Sequence, residues 1–137
     1  MRKQFLMLWL LTISLLFCAC SSGEKRDVSS PEKALLGHWM TREKALRVDY
    51  YFGDGTFIMT VGHARLDWNY SVVESDNDKN SITIDIDMGF RDEAGYSVPT
   101  GMVLHFSRNR KYITEIAVGP EGKISNKWKY IDSKTEP

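Results

Sequence analysis

Val48-Asp49-Tyr50-Tyr51-Phe52-Gly53-Asp54-Gly55-Thr56-Phe57-Ile58-Met59-Thr60-Val61-Gly62-His63-Ala64-Arg65-Leu66-Asp67-Trp68 contains two chain reversals, and their registers agree. Asp-Gly between alternating apolar residues is a strong hairpin signal. With Asp54-Gly55 at the tip, Phe52 faces Phe57, Tyr50 faces Met59 and Val48 faces Val61. All of these side chains fall on one side of the ribbon. A slip of one residue would turn that whole set outward, so turn chemistry and burial select the same pairing. Gly62-His63 supplies the second tip, of the Gly-X kind. It sets Met59 against Leu66 and Phe57 against Trp68, again on the same face.

The same period-two texture extends in both directions. Leu46, Val48, Tyr50 and Phe52 share a face, as do Leu66, Trp68, Tyr70 and Val72, then Ile82, Ile84, Ile86 and Met88. Trp128 and Tyr130 alternate with Lys127 and Lys129. This is how antiparallel strands with one buried face read. It predicts strands near 37–41, 46–52, 56–61, 65–74, 81–88, 102–107, 111–118 and 124–131. Short strands joined by mostly tight turns form a meander, and closure into a barrel removes its edges. The expected fold is all-β, an eight-stranded antiparallel up-and-down barrel; a two-sheet sandwich is the alternative. Ser30-Pro31-Glu32-Lys33 places a capping serine before a proline at the first helical position, so a short helix over 31–36 precedes the first strand.

The N-terminal region reads differently. Met1-Arg2-Lys3-Gln4 is basic, and 5–17 is an apolar run too short to span a bilayer, which takes about 20 residues. That is the pattern of a secretory signal. Leu15-Leu16-Phe17-Cys18-Ala19-Cys20-Ser21 resembles the lipobox of bacterial lipoproteins, although Phe17 and Cys18 depart from the usual residues. The resemblance implies a signal peptide over 1–19, lipid attachment at Cys20 and a polar linker over 20–30 leading to a barrel domain over 31–137. It also implies a bacterial cell-envelope location with the membrane as a partner; Ser21 points to the outer membrane, facing the periplasm, in a Gram-negative cell. A plain secreted protein cut near Ala19, or an uncleaved anchor, is the alternative. Stable anchoring takes more than one acyl chain.

Composition bounds the function. Both cysteines, Cys18 and Cys20, lie in this leader, so no disulfide is expected in the domain. The 18 basic side chains balance the 18 acidic ones, and loss of Arg2 and Lys3 leaves the remainder slightly acidic. No basic field suits nucleic acid.

A second resemblance concerns the barrel. Gly37-His38-Trp39 after a short helix is similar to the Gly-x-Trp opening of lipocalins, and 50–57 resembles the second hairpin of small bacterial lipocalin-like domains. Lys127 and Lys129 stand where lipocalins place an arginine against the tryptophan. The resemblance implies an open mouth at the end formed by 42–45, 62–63, 89–100 and 119–122. The longest of these connections, 89–100, makes Phe90, Arg91 and Tyr96 candidate mouth residues, with His63 across from them. A small apolar ligand is the expected cargo. A barrel filled by its own aromatics, acting on an envelope protein partner through outward-facing Tyr51, Ile58 or the long loop, is the alternative.

No catalytic constellation stands out. His38, His63 and His105 lack ligand spacing, so neither a metal nor another cofactor is implied. Asp76-x-Asp78-x-Asn80 begins like a calcium loop but has Ser81 where glycine is needed, and reads as a solvated hairpin tip. Asp85 and Asp87 alternate with isoleucines and face outward.

Overall fold

The computed structural model describes residues 25–43, 45–119 and 122–137. The leader and Cys20 therefore lie outside the described residues. A short helix, α1 (Pro31–Leu35), precedes eight strands: β1 (Gly37–Glu43), β2 (Leu46–Phe52), β3 (Thr56–Val61), β4 (Ala64–Asp76), β5 (Ser81–Asp87), β6 (Thr100–Phe106), β7 (Tyr112–Gly119) and β8 (Gly122–Asp132). Each pairs antiparallel with the next, and β8 returns to β1, so the sheet closes into the expected barrel.

The register of the central hairpins is the one that the facing pairs predict: Val48↔Val61, Tyr50↔Met59 and Phe52↔Phe57, then Phe57↔Trp68 and Met59↔Leu66. Gly55 (φ 72°) and Gly62 (φ 59°) take the left-handed backbone at the two tips. Tyr70 ties the first tip to β4. Its backbone N–H donates to Gly55 O at 3.0 Å and its hydroxyl donates to Gly53 O at 2.9 Å. Burial, helped by Asp54, pushes that phenol up to about 12, so it remains a donor.

The barrel is closed and packed at one end. Trp39, Phe52, Phe57, Ile82, Ile84, Ile86, Leu104, Phe106, Ile113 and Trp128 form the buried core, with Ala34 and Leu35 of α1 beneath them. Rings stack through its centre: Phe52 on Phe57 (4.7 Å), Tyr50 on Trp128 (4.3 Å) and Trp39 edge-on to Tyr130 (5.3 Å). Ser30 Oγ caps α1 by accepting from Lys33 N, and Trp39 Nε1 donates to Leu35 O at 2.7 Å. Gly37 (φ 118°) has no room for a side chain, since a Cβ there would come within 2.6 Å of Asp132 O.

Three features differ from the pattern reading. The polar stretch read as a linker is tied to the barrel from its described beginning. Arg26 lies 3.7 Å from the Tyr130 ring centroid and 5.0 Å from that of Trp39, and donates to Arg110 O (2.7 Å) and to Ala34 O. An arginine from the N-terminal side thus packs over the Trp39 and Tyr130 rings. Second, Tyr51 and Ile58, expected as exposed outer-face positions, are 8% and 4% exposed. His38 stacks on Tyr51 at 4.3 Å, and the C-terminal segment lies along this face, with Thr135 near Gly53 and Glu136 in a shallow recess with Ile58 and Arg65. Third, β4 continues to Asp76 through a bulge between Val72 and Glu74. The polar residues there read as turn, yet they pair with β5.

Candidate functional site

Strand parity sends the β1–β2, β3–β4, β5–β6 and β7–β8 connections to the end opposite α1. There two inward-facing leucines reach water: Leu46 is 53% exposed and Leu66 44%, although they continue the apolar stripes of buried Phe52 and half-buried Trp68. Met59, Trp68, Met88 and Met102 are partly buried and pack down onto the core. The apolar stripes thus run from a packed interior to solvent at this end.

Among the described residues the β1–β8 ladder pairs His38↔Asp132, Trp39↔Tyr130 and Met40↔Lys129, with a register shift between His38 and Trp39. Beyond it, the Thr41 hydroxyl donates to Lys127 O at 2.9 Å.

The predicted mouth residues take different places. The β5–β6 connection is an ordered excursion: Arg91 bridges to Ser97, Asp92 N donates to Tyr96 O, and Val98 N donates to Phe90 O. Asp92 Oδ1 also accepts from Ala94 N and Tyr96 N. Arg91 serves the loop itself, donating to Ser97 Oγ at 3.0 Å and pairing with Asp87 at 3.4 Å. Hydrogen bonds from Gly89 N and Ser97, followed by Arg91, hold the Asp87 carboxyl below its ordinary range. Phe90 and Tyr96 stand 60% and 73% exposed. His63 is exposed at the β3–β4 tip. Among the described residues no hydrogen bond, ion pair or ring contact joins His63 to Phe90, Arg91 or Tyr96.

Pattern reading missed the polar groups that face the barrel interior. Glu115 pairs in register with buried Leu104 on one side and Asn126 on the other, one step above the Ile113–Trp128 pair of the core. Asn126 Nδ2 lies 3.5 Å from Glu115 Oε2. Burial raises the Glu115 carboxyl above its ordinary value, with Asn126 and the Trp128 N–H pulling the other way. The signal was present in the alternation: a β7 with Ile113 inward must also turn Glu115 inward, and a β8 with Trp128 inward must turn Asn126 inward.

The other ionisable clusters are structural. His38 Nε2 lies 2.7 Å from Asp49 Oδ1, with Arg47 on the same carboxylate. Burial would raise Asp49, but hydrogen bonds from Arg47 and His38 outweigh it. Asp76 accepts from the backbone of Asp78 and Lys79, which makes the hairpin tip a turn rather than a cation loop. Among the described residues no three His, Cys, Asp or Glu side chains converge as metal ligands do.

No family model, curated protein or solved structure matches the chain. The closed eight-stranded antiparallel barrel is compatible with a lipocalin-like fold.

Proposed function

We propose that this chain is a lipocalin-like lipoprotein, held to a bacterial envelope membrane through Cys20, whose barrel binds one small apolar or amphipathic molecule and performs no chemistry on it. The observation that carries the binding role is the one-sided packing of the barrel. Core residues fill the α1 end, while Leu46 and Leu66, on the inward stripes at the other end, are half in water. Eight strands enclose just enough room to be filled or to hold one small ligand, and at this end the apolar stripes reach solvent. The anchor and the envelope location rest on the sequence around Cys20.

Binding of the fluorescent probe N-phenyl-1-naphthylamine tests this reading. The wild-type chain is expected to bind it, and Leu46→Arg or Leu66→Arg at the rim is expected to weaken binding without lowering Tm. Absence of binding, or equal binding by all three proteins, would remove the ligand role. Exposed Phe90 and Tyr96 favour a second reading, a surface for an envelope protein partner. It predicts capture of a partner that is lost on Phe90→Ser with Tyr96→Ser.

A further inference from the structure

His38 joins three strands where the barrel closes. It follows Gly37 in β1, pairs with Tyr51 of β2 and with Asp132, the last residue of β8, and sits at the register shift of the β1–β8 ladder. The residue is 6% exposed. Among the described residues the charged groups facing its ring are two carboxylates from different elements. Nε2 lies 2.7 Å from Asp49 Oδ1, and Nδ1 lies 3.5 Å from Asp132 Oδ1. Arg47 shares the Asp49 carboxylate, and the Tyr51 ring stacks on the imidazole. Burial raises the Tyr51 phenol, which stays neutral. The short contact assigns a hydrogen to Nε2, donated to Asp49. Nδ1 is buried and has no hydrogen-bond partner, which is unusual for a buried polar atom. With a proton it faces Asp132 as an ion pair. Without one, its lone pair faces a carboxylate oxygen, acceptor against acceptor.

Asp132 is also where the chain leaves the barrel. Its Oδ1 accepts from Lys134 N at 3.0 Å. The residues that follow lie over β2 and β3, with Thr135 beside Gly53 and Glu136 near Ile58 and Arg65. We infer that His38 is a proton-operated latch on this C-terminal segment. The imidazolium draws Asp132 in and keeps residues 133–137 over Tyr51 and Ile58. Loss of the Nδ1 proton sets lone pair against carboxylate, and the segment swings off, baring an apolar strip on the outer wall of β2 and β3. The latch is closed at low pH and open at high pH. It works on the outer wall and is independent of what the barrel binds.

The chain from Ser21 onward has no cysteine, so Pro137→Cys gives the purified protein a single attachment point for tetramethylrhodamine. The anisotropy of that dye reports how firmly the segment is held. Raising the pH from about 6 to about 9 takes an imidazole through the loss of its proton. Anisotropy should fall about twofold over this range, as for a terminus that becomes free to move in nanoseconds. Tryptophan emission should stay constant, because the core remains packed. Asp132→Asn should abolish the fall, since the new amide donates to the neutral Nδ1 and keeps the segment down throughout. His38→Gln, which takes up no proton, should likewise show no step with pH. Should His38→Gln fail to fold, Asp132→Asn, at a side chain 40% exposed, still decides the question. Anisotropy independent of pH in the otherwise wild-type chain, a fall that persists in Asp132→Asn, or a fall that coincides with a shift in tryptophan emission overturns the latch.

Discussion

Replacement of Arg26 by alanine should destabilise the barrel far more than a change in a polar N-terminal stretch ordinarily does. The guanidinium covers the Tyr130 and Trp39 rings and donates to the carbonyls of Ala34 and Arg110. A hydrogen bond from a charged donor contributes about 1.5–3 kcal/mol, and a partly desolvated cation–π contact about 0.5–2 kcal/mol. Two such bonds and one ring contact give roughly 3.5–8 kcal/mol, from which about 2 kcal/mol of recovered side-chain entropy is subtracted. The net expectation is a loss of about 1.5–6 kcal/mol. At about 4 °C per kcal/mol for a domain of this size, that lowers Tm by roughly 6–24 °C. Urea denaturation followed by tryptophan fluorescence measures it directly. Arg26→Lys keeps a charge over Tyr130 but loses the fork that reaches two carbonyls, so it should retain about half of the loss. A change below about 0.5 kcal/mol in Arg26→Ala, the range of ordinary surface positions, would show that the segment does not clamp the barrel.

Gly37→Ala should cost more than about 2 kcal/mol, because the residue has positive φ and its Cβ would collide with Asp132 O; an unchanged thermal midpoint refutes this. Ile58→Ala should cost about 2–5 kcal/mol as a core position does, despite lying on the outer face; denaturation showing a surface-like effect would mean that the C-terminal segment does not cover it. Burial makes the folded state hold the Glu115 proton more tightly than the unfolded chain does, so this group's contribution to stability falls as pH rises from the ordinary value of 4.5 through the raised folded value. Glu115→Gln should remove that component, so the gap in stability between variant and wild type widens in the variant's favour over this range; a gap independent of pH counts against it. Cys20→Ala should abolish labelling by radioactive palmitate in cells, and persistent labelling would move the attachment elsewhere.

The barrel was legible because its shortest turns and its apolar stripes constrain the same registers. Asp54-Gly55 and Gly62-His63 left no freedom once Phe52, Phe57 and Trp68 had to share a face. The closed end was less readable. Arg26 is separated from Trp39 and Tyr130 in sequence, and nothing local distinguishes it from Lys25 or Asp27. Tyr51 and Ile58 alternate as outward residues should; what buries them is a segment at the far end of the chain. Strand parity placed the 89–100 connection at the end opposite α1, and its length drew attention to Phe90, Arg91 and Tyr96. Arg91 and Ser97 are occupied in holding the loop's own shape. The polar pair that distinguishes the interior, Glu115 and Asn126, was visible as alternation and was passed over because lone polar residues on a strand ordinarily face solvent.

The Arg26 clamp also fixes an orientation. On the proposed anchoring, only Ser21 to Lys25 separate the acylated cysteine from a side chain that is held at the α1 end. Fully extended, the chain from Cys20 to Arg26 reaches at most roughly 20 Å, comparable with the length of β2, whose seven residues rise about 3.4 Å each. On so short a leash the α1 end is kept against the leaflet and the opposite end of the barrel points away from it. Cargo would then be exchanged with whatever lies across the aqueous gap, a soluble carrier or an opposing membrane, and not drawn from the leaflet in which the protein is moored.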